Sequence, residues 1–142
     1  MKKLLVLTSF IFFSYAGFSQ EIGVRFGDVL GNDIAMDAIF NSGKFHRLHA
    51  DFSFGSDFGL EILWDFWYKP FGGEAFHYYL GMGPSMLFGD DFFLGFSGEL
   101  GLEYHFKSVP IAVGADWRPT FFVVNDDSFE AGGYGVNARF VF

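Results

Sequence analysis

The stretch FFLGFSGELGLEYHF, Phe92 to Phe106, decides how this chain is read. Taken at every second residue, one face is Leu94, Phe96, Gly98, Leu100, Leu102, Tyr104 and Phe106. The other face is Gly95, Ser97, Glu99, Gly101, Glu103 and His105. A period of two marks a strand with two unlike faces. The run is about twice the length of an ordinary strand. The fold then turns on which face meets water and what solvent meets the other.

The alternation recurs along the chain. Eight segments carry it: 21–27, 33–40, 45–54, 59–68, 75–88, 92–106, 111–124 and 132–142. Ile22, Val24 and Phe26 share the apolar face of the first. Leu60, Ile62, Trp64, Phe66 and Tyr68 share that of the fourth. Between the segments lie GDVLGN, NSGK, GSDF, KPFGGE, GDD, KSVP and NDDSF, all rich in turn formers. Connections this short join antiparallel neighbours in an up-and-down order. Pro84 and Pro119 fall inside the fifth and seventh segments, where each removes a ladder donor. Both are read as bulges, or as points where the strand leaves its membrane.

Composition agrees with a folded, strand-rich chain. Apolar residues make up 51% and aromatics 23%, so disorder is excluded. The apolar residues are interleaved with polar ones, and after the N-terminus no run reaches the length of a spanning helix. Residues 1–19 have a different character: a basic start at Lys2 and Lys3, an apolar core from Leu4 to Phe13, and small residues at Gly17 and Ser19. They read as a secretory signal cut before Gln20, leaving 20–142 as one domain. The core is short for an uncleaved anchor. Without cysteine, the chain has no thiol for a lipid anchor, a disulfide or a metal thiolate. Once Lys2 and Lys3 are removed, 7 basic residues stand against 17 acidic ones, a net charge of −10 with His neutral. Such a chain is not built to bind nucleic-acid phosphates.

Two barrels accommodate eight alternating strands. A soluble, lipocalin-like barrel packs its apolar face inward, and a membrane barrel turns it out to lipid. The interior of an eight-stranded barrel is only just filled by side chains. The apolar face holds too many Phe, Tyr, Trp, Leu and Met to fit there, whereas the Gly- and Ser-rich polar face suits a narrow inside. Lys44, Lys69 and Lys107 all fall in turns, and Arg25, Arg47, Arg118 and Arg139 fall on the polar face. Aromatics gather near strand ends, as in Phe66-Trp67-Tyr68 and Phe92-Phe93, the placement of interfacial girdles.

On these residues the chain resembles the small eight-stranded outer-membrane β-barrel proteins of Gram-negative bacteria, the class of outer membrane protein X and the barrel domain of outer membrane protein A. The C-terminal YGVNARFVF resembles the signal read by the barrel-insertion machinery, with Phe142 last and Phe140 and Tyr134 at alternate positions behind it. GLEYHFKSVPIAVGADWRPTF resembles the late hairpin of such domains. The outer connections are shorter than in relatives that bind hosts. The resemblance implies that both termini face the periplasm. GDVLGN, GSDF, GDD and NDDSF then form an acidic outer rim, and Lys44, Lys69 and Lys107 a basic inner one. It also implies a monomer whose partners are outer-membrane lipid, lipopolysaccharide and the insertion machinery.

Charges in so narrow a lumen must pair. Counting back from a tight KSVP hairpin sets Glu99 opposite Arg118. The same counting sets His49 between Asp37 and Asp65, and Arg47 beside Trp67 as a cation–π pair. Arg139 and Glu21 complete the expected interior network. Acids outnumber bases, so some carboxylates are expected to be protonated or hydrated. His49 is the position a proton path or metal site would use; a packed polar plug is the expected reading. Lumen-facing Leu63, Trp67 and Tyr79 argue against a pore. Asp90-Asp91 and Asp126-Asp127 are oxygen ligands that a rim Ca²⁺ or Mg²⁺ could use, against the simpler reading of solvated turns.

The function expected is therefore structural or interactional, in the outer membrane, with no catalytic residue, cofactor or metal assigned. One alternative is an outer-leaflet lipid-modifying enzyme of the lipid A deacylase type, which needs a Ser–His pair near the outer rim. His46, His49, His77 and His105 map instead to the inner half or mid-barrel, away from Ser53, Ser56, Ser85 and Ser128. The other alternative is a soluble carrier.

Overall fold

A computed structural model describes residues 20–41, 47–73, 75–125 and 128–142. The expected signal segment lies outside them, as do Lys44, His46, Asp126 and Asp127. The described chain is strands and turns: β1 Gln20–Val29, β2 Asn32–Asn41, β3 Arg47–Phe54, β4 Phe58–Pro70, β5 Phe76–Phe88, β6 Phe92–His105, β7 Ile111–Trp117, β8 Thr120–Val124, β9 Phe129–Glu130 and β10 Tyr134–Val141. β7 and β8 form one wall and β9 and β10 another, so the architecture is an eight-stranded antiparallel up-and-down barrel. It closes where β1 pairs with β10, Ile22 opposite Phe140 and Phe26 opposite Val136. Closure gives each described wall a neighbour on both sides, so the described residues leave no open sheet edge.

The two faces of the opening stretch separate as expected. Phe96 and Leu100 are 56% and 49% exposed on the outside, while Glu99 and Arg118 are 1% and 2% exposed inside. Every wall repeats the arrangement: Met36, Phe52, Ile62, Met82, Val113 and Val136 are exposed, and Asp37, Asp51, Glu61, Ser85, Asp116 and Asn137 are buried. A few apolar side chains do point inward, among them Ile39, Leu63 and Tyr79. Tyr79 reaches across to β6, where Gly101 leaves room for its ring; a side chain on Gly101 would collide with the phenol.

One end of the barrel, here the loop end, holds the turns between β1 and β2, β3 and β4, and β5 and β6. Leu30 and Gly31 connect β1 to β2 with φ of 54° and 83°. Two positive φ values in a two-residue loop are the geometry that matches the twist of a hairpin. The chain termini and the turns after β4 and β6 lie at the opposite, terminus end.

Three expectations about local geometry are corrected. The β5–β6 ladder runs from Phe76–Tyr104 to Phe88–Phe92 with Pro84 paired to Phe96, so Pro84 makes no bulge. Its missing donor shows on the other side, where β4–β5 pairing lapses between Glu61–Ser85 and Trp64–Met82. Pro119 separates β7 from β8, yet the register with β6 is unchanged from Leu100–Trp117 to Ser97–Thr120. The irregularity comes later, between Gly95–Phe122 and Leu94–Val124. Finally, β4 carries a bulge between Trp64 and Trp67. One extra residue inverts the facing of everything after it. Trp67, read as lumenal, is therefore 42% exposed on the outside, and Tyr68, read as outward, directs its hydroxyl into the barrel mouth.

Candidate functional site: the charged lumen

The lumen is a stack of four arginines, each contributed by a different wall. At the terminus end Arg139, on β10, spreads over three walls. Its Nε donates to Glu21 Oε2 at 2.9 Å, Nη1 to Asp37 Oδ2 at 3.0 Å, and Nη2 to Glu103 Oε2 at 2.5 Å. Arg47, on β3, reaches the same Glu103 oxygen at 2.7 Å and lies 3.5 Å from Asp65 Oδ2. Glu103 Oε2 is thus shared by two guanidiniums. The Arg47 guanidinium also sits 4.2 Å from the Tyr68 ring centroid and 5.0 Å from that of Tyr79. The cation–π partner is therefore Tyr68 rather than Trp67. Trp67 receives Lys69 instead, at 4.1 Å on the outer surface.

At mid-height Arg118 sits between β7 and β8, where the ladder with β10 is interrupted. Nη1 donates to Asp51 Oδ2 at 2.5 Å, and Nη2 lies 3.3 Å from Asp116 Oδ2. Nε is 3.1 Å from Glu99 Oε2, an ion pair by distance but not aligned as a hydrogen bond. Glu99 and Arg118 are therefore together, as the hairpin count placed them. Arg25, on β1, donates to Asp116 Oδ1 through Nε at 2.9 Å and Nη2 at 2.6 Å. Its Nη1 holds the Asp28 carbonyl at 2.8 Å.

His49 stands among these groups. In register it faces Ile39 on β2 and Leu63 on β4, two residues away from the expected Asp37 and Asp65. The Asp37 contact forms all the same, diagonally, through Nε2. On the other side Nδ1 lies 3.2 Å from Glu99 Oε1. Asp65 comes close to His49 without a hydrogen bond between them and pairs with Arg47 instead.

Several participants escape a reading of single strands. Asp116 binds Arg25, Arg118 and Asn137, yet its three donors come from three walls. Tyr68 donates to Glu103 Oε1 at 2.5 Å, and only the β4 bulge turns it inward. Toward the loop end the charges give way to hydroxyls: Ser97 bonds both Ser85 and Thr120, and Asn32 Nδ2 donates to Ser53 Oγ at 2.9 Å. Strand-by-strand alternation puts Asp51, Asp116 and Glu103 on the inward face beside the four arginines, but not which arginine each one meets.

A cavity of about 190 Å³ lies above this layer at the loop end. Leu30, Leu87, Phe93 and Phe122 line it together with Glu61 and Arg118. Glu61 Oε2 is buried without a hydrogen-bond partner, as are Asp51 Oδ1 and both Asp65 oxygens. Buried oxygens of this kind are where water or a proton must enter.

The lumen offers few places for a metal. Asp37, His49 and Asp51, and likewise His49, Asp65 and Glu99, bring ligand atoms within 4.8 Å of one another. Both groups share His49, whose ring nitrogens are already occupied, and Arg118 Nη2 stands 3.1 Å from Nε2. A cation there would displace or oppose a buried guanidinium. A third group, His77, Glu103 and His105, lies at the terminus-end mouth. Among the described residues, no such group includes Asp28, Asp57, Asp90 or Asp91.

Tyr134 and Phe140 lie on the outer face of β10, and Phe142 follows its end; they are 64%, 47% and 69% exposed. Tyr134 stacks on Trp117, and the rings of Phe140 and Phe142 are 5.0 Å apart. No family model, curated protein or solved structure matches this chain.

Proposed function

We propose that this protein is a small outer-membrane β-barrel of the Gram-negative type, made with a cleavable signal over residues 1–19. It spans the membrane as a monomer, and its role in the envelope is structural or interactional. One observation carries the reading: the apolar face is outside and the charged face inside. A continuous belt of exposed Phe, Leu, Ile, Val and Met is far larger than the patch a soluble monomer leaves in water. In lipid the same belt is the favourable surface, and a closed barrel is one of two backbone solutions that can cross it.

The interior supports a packed polar plug. Tyr79, Leu63, Ile39 and the four arginines occupy the section of the barrel, and each guanidinium bridges walls. Outward-facing Tyr134, Phe140 and Phe142 are placed where the insertion machinery and then lipid would meet them. With both termini toward the periplasm, the cavity lined by Glu61 faces outward.

A soluble carrier would need an apolar lumen, and the burial pattern runs the other way. The lipid-modifying alternative needs a histidine beside an outer-rim serine. Ser53 instead bonds Asn32 and Ser85 bonds Ser97, while His49, His77 and His105 engage carboxylates or rings nearer the terminus end. The test is direct. In vesicles whose acyl chains carry bromine, the outward Trp64 should be quenched strongly in a variant with Trp67 and Trp117 replaced by Phe. The unboiled protein should also migrate as a compact, heat-modifiable species. Absence of quenching together with recovery in the aqueous fraction of cells would overturn the reading.

A further inference from the structure

We propose that His77, Glu103 and His105 bind one divalent transition-metal ion, with zinc the working case, at the terminus-end mouth of the barrel. The site is dictated by register. His77 on β5 is directly opposite Glu103 on β6. His105 follows two residues after Glu103, on the same face. Directly opposed residues have Cα atoms about 4.5–5.5 Å apart, so the three side chains share one small patch. Their ligand atoms lie within 4.8 Å of one another. A tetrahedral zinc with bonds of about 2.0–2.2 Å needs them only modestly closer, a shift that side-chain rotation supplies.

The donors are poised for an ion. His105 Nε2 already lies 2.8 Å from Glu103 Oε1. His77 Nδ1 makes no hydrogen bond to another side chain. The Tyr68 ring stacks on His77 at 4.8 Å with 2° between planes, which holds the imidazole, and the two histidine rings meet edge to face at 5.4 Å. Outer partners orient the carboxylate: Tyr68 donates to Oε1 at 2.5 Å, and Arg47 and Arg139 hold Oε2. Glu21 Oε1, 3.7 Å from His105 Nε2, offsets part of the guanidinium charge. His105 keeps 26% of its side chain exposed, so an ion can enter from the open end. Two imidazoles and one carboxylate suit zinc, copper or nickel, and do not suit calcium or magnesium, which prefer oxygen. His49 also has carboxylate neighbours, but it is fully enclosed, and Arg118 Nη2 stands 3.1 Å from its Nε2.

The experiment uses the untagged protein folded in detergent micelles. Calorimetric titration with ZnCl₂ should give one ion per barrel, undisturbed by excess Ca²⁺ or Mg²⁺. Co²⁺ should give the visible absorption of a low-coordinate site. His77→Gln and His105→Gln should each weaken zinc binding about tenfold or more while migrating as folded barrels before boiling. Absence of zinc heat and cobalt absorption in the unmodified protein overturns the proposal without recourse to any variant. Unchanged affinity in both folded variants overturns it too, as does loss of binding in His49→Gln alone.

Discussion

Arg118 and Asp51 stand on opposite walls of the barrel, one between β7 and β8 and the other on β3, and their side chains meet at 2.5 Å. The contact ties the two halves of the ring across the lumen. It exists because Arg118 shares the inward face with Asp116 and Thr120, and a guanidinium is long enough to cross the lumen. Arg118 then serves Glu99 and Asp116 as well.

Removing that cation should be costly. Arg118→Met leaves Asp51, Glu99 and Asp116 facing one another without their shared partner. A loss of about 3–5 kcal/mol follows from breaking a buried charge network on one side. Asp51→Asn, which keeps an acceptor and leaves Arg118 two carboxylates, should lose less. Urea unfolding of the barrel in lipid vesicles measures both, and the opposite ranking would show that Arg118 does not organise the layer.

The Tyr79–Gly101 fit gives a packing test. Gly101→Val forces the phenol out of its place against β6 and should cost about 1–3 kcal/mol by overpacking. Tyr79→Phe keeps the ring and removes only the 3.4 Å contact to Asp116, at a cost of about 0.5–1.5 kcal/mol. Equal effects would mean that the hydroxyl, not the ring, fills the site.

The outer surface should respond according to depth. Leu100→Arg places a charge mid-strand on the outside and should destabilise the protein in vesicles by about 2–4 kcal/mol. Val109→Arg, in the exposed turn after β6, should cost about 0–1 kcal/mol. Equal and negligible effects would be the behaviour of a surface bathed in water.

The lumen should not conduct. Planar-bilayer recordings of the unmodified protein should show no steady open level, because arginines and Tyr79 cross the section. Arg118→Gly combined with Tyr79→Ala removes the two largest obstructions at mid-height and should introduce resolvable, cation-preferring openings through the remaining carboxylates. A steady conductance before any substitution would mean that the plug has a gap.

Much of this geometry was legible strand by strand. Glu99 and Arg118 meet because β6 and β7 are joined by a short turn, and counting residues from KSVP suffices. The same counting found the Asp37 contact of His49 but not its register: His49 lies opposite Ile39 and Leu63, and Asp65 pairs with Arg47 instead. Trp67 and Tyr68 were assigned to each other's faces because a bulge adds one residue without leaving a mark in the alternation on either side of it. The proline positions were visible, but their consequences were not: one was absorbed on an outward face, and the other divides β7 from β8 without changing the register with β6.

What the sequence determined by itself was the closed barrel and which of its faces is outside. That follows from a period of two and from side-chain volume, which are properties of each strand alone. What only the tertiary structure decided was the partnership inside: Asp51 with Arg118, Glu103 between Arg47 and Arg139, and His77 beside His105. Most of those pairs join side chains across a lumen, over distances that an arginine spans but no register records. Their choice therefore depends on where bulges and breaks turn each wall, and on how far each side chain reaches once the ring has closed.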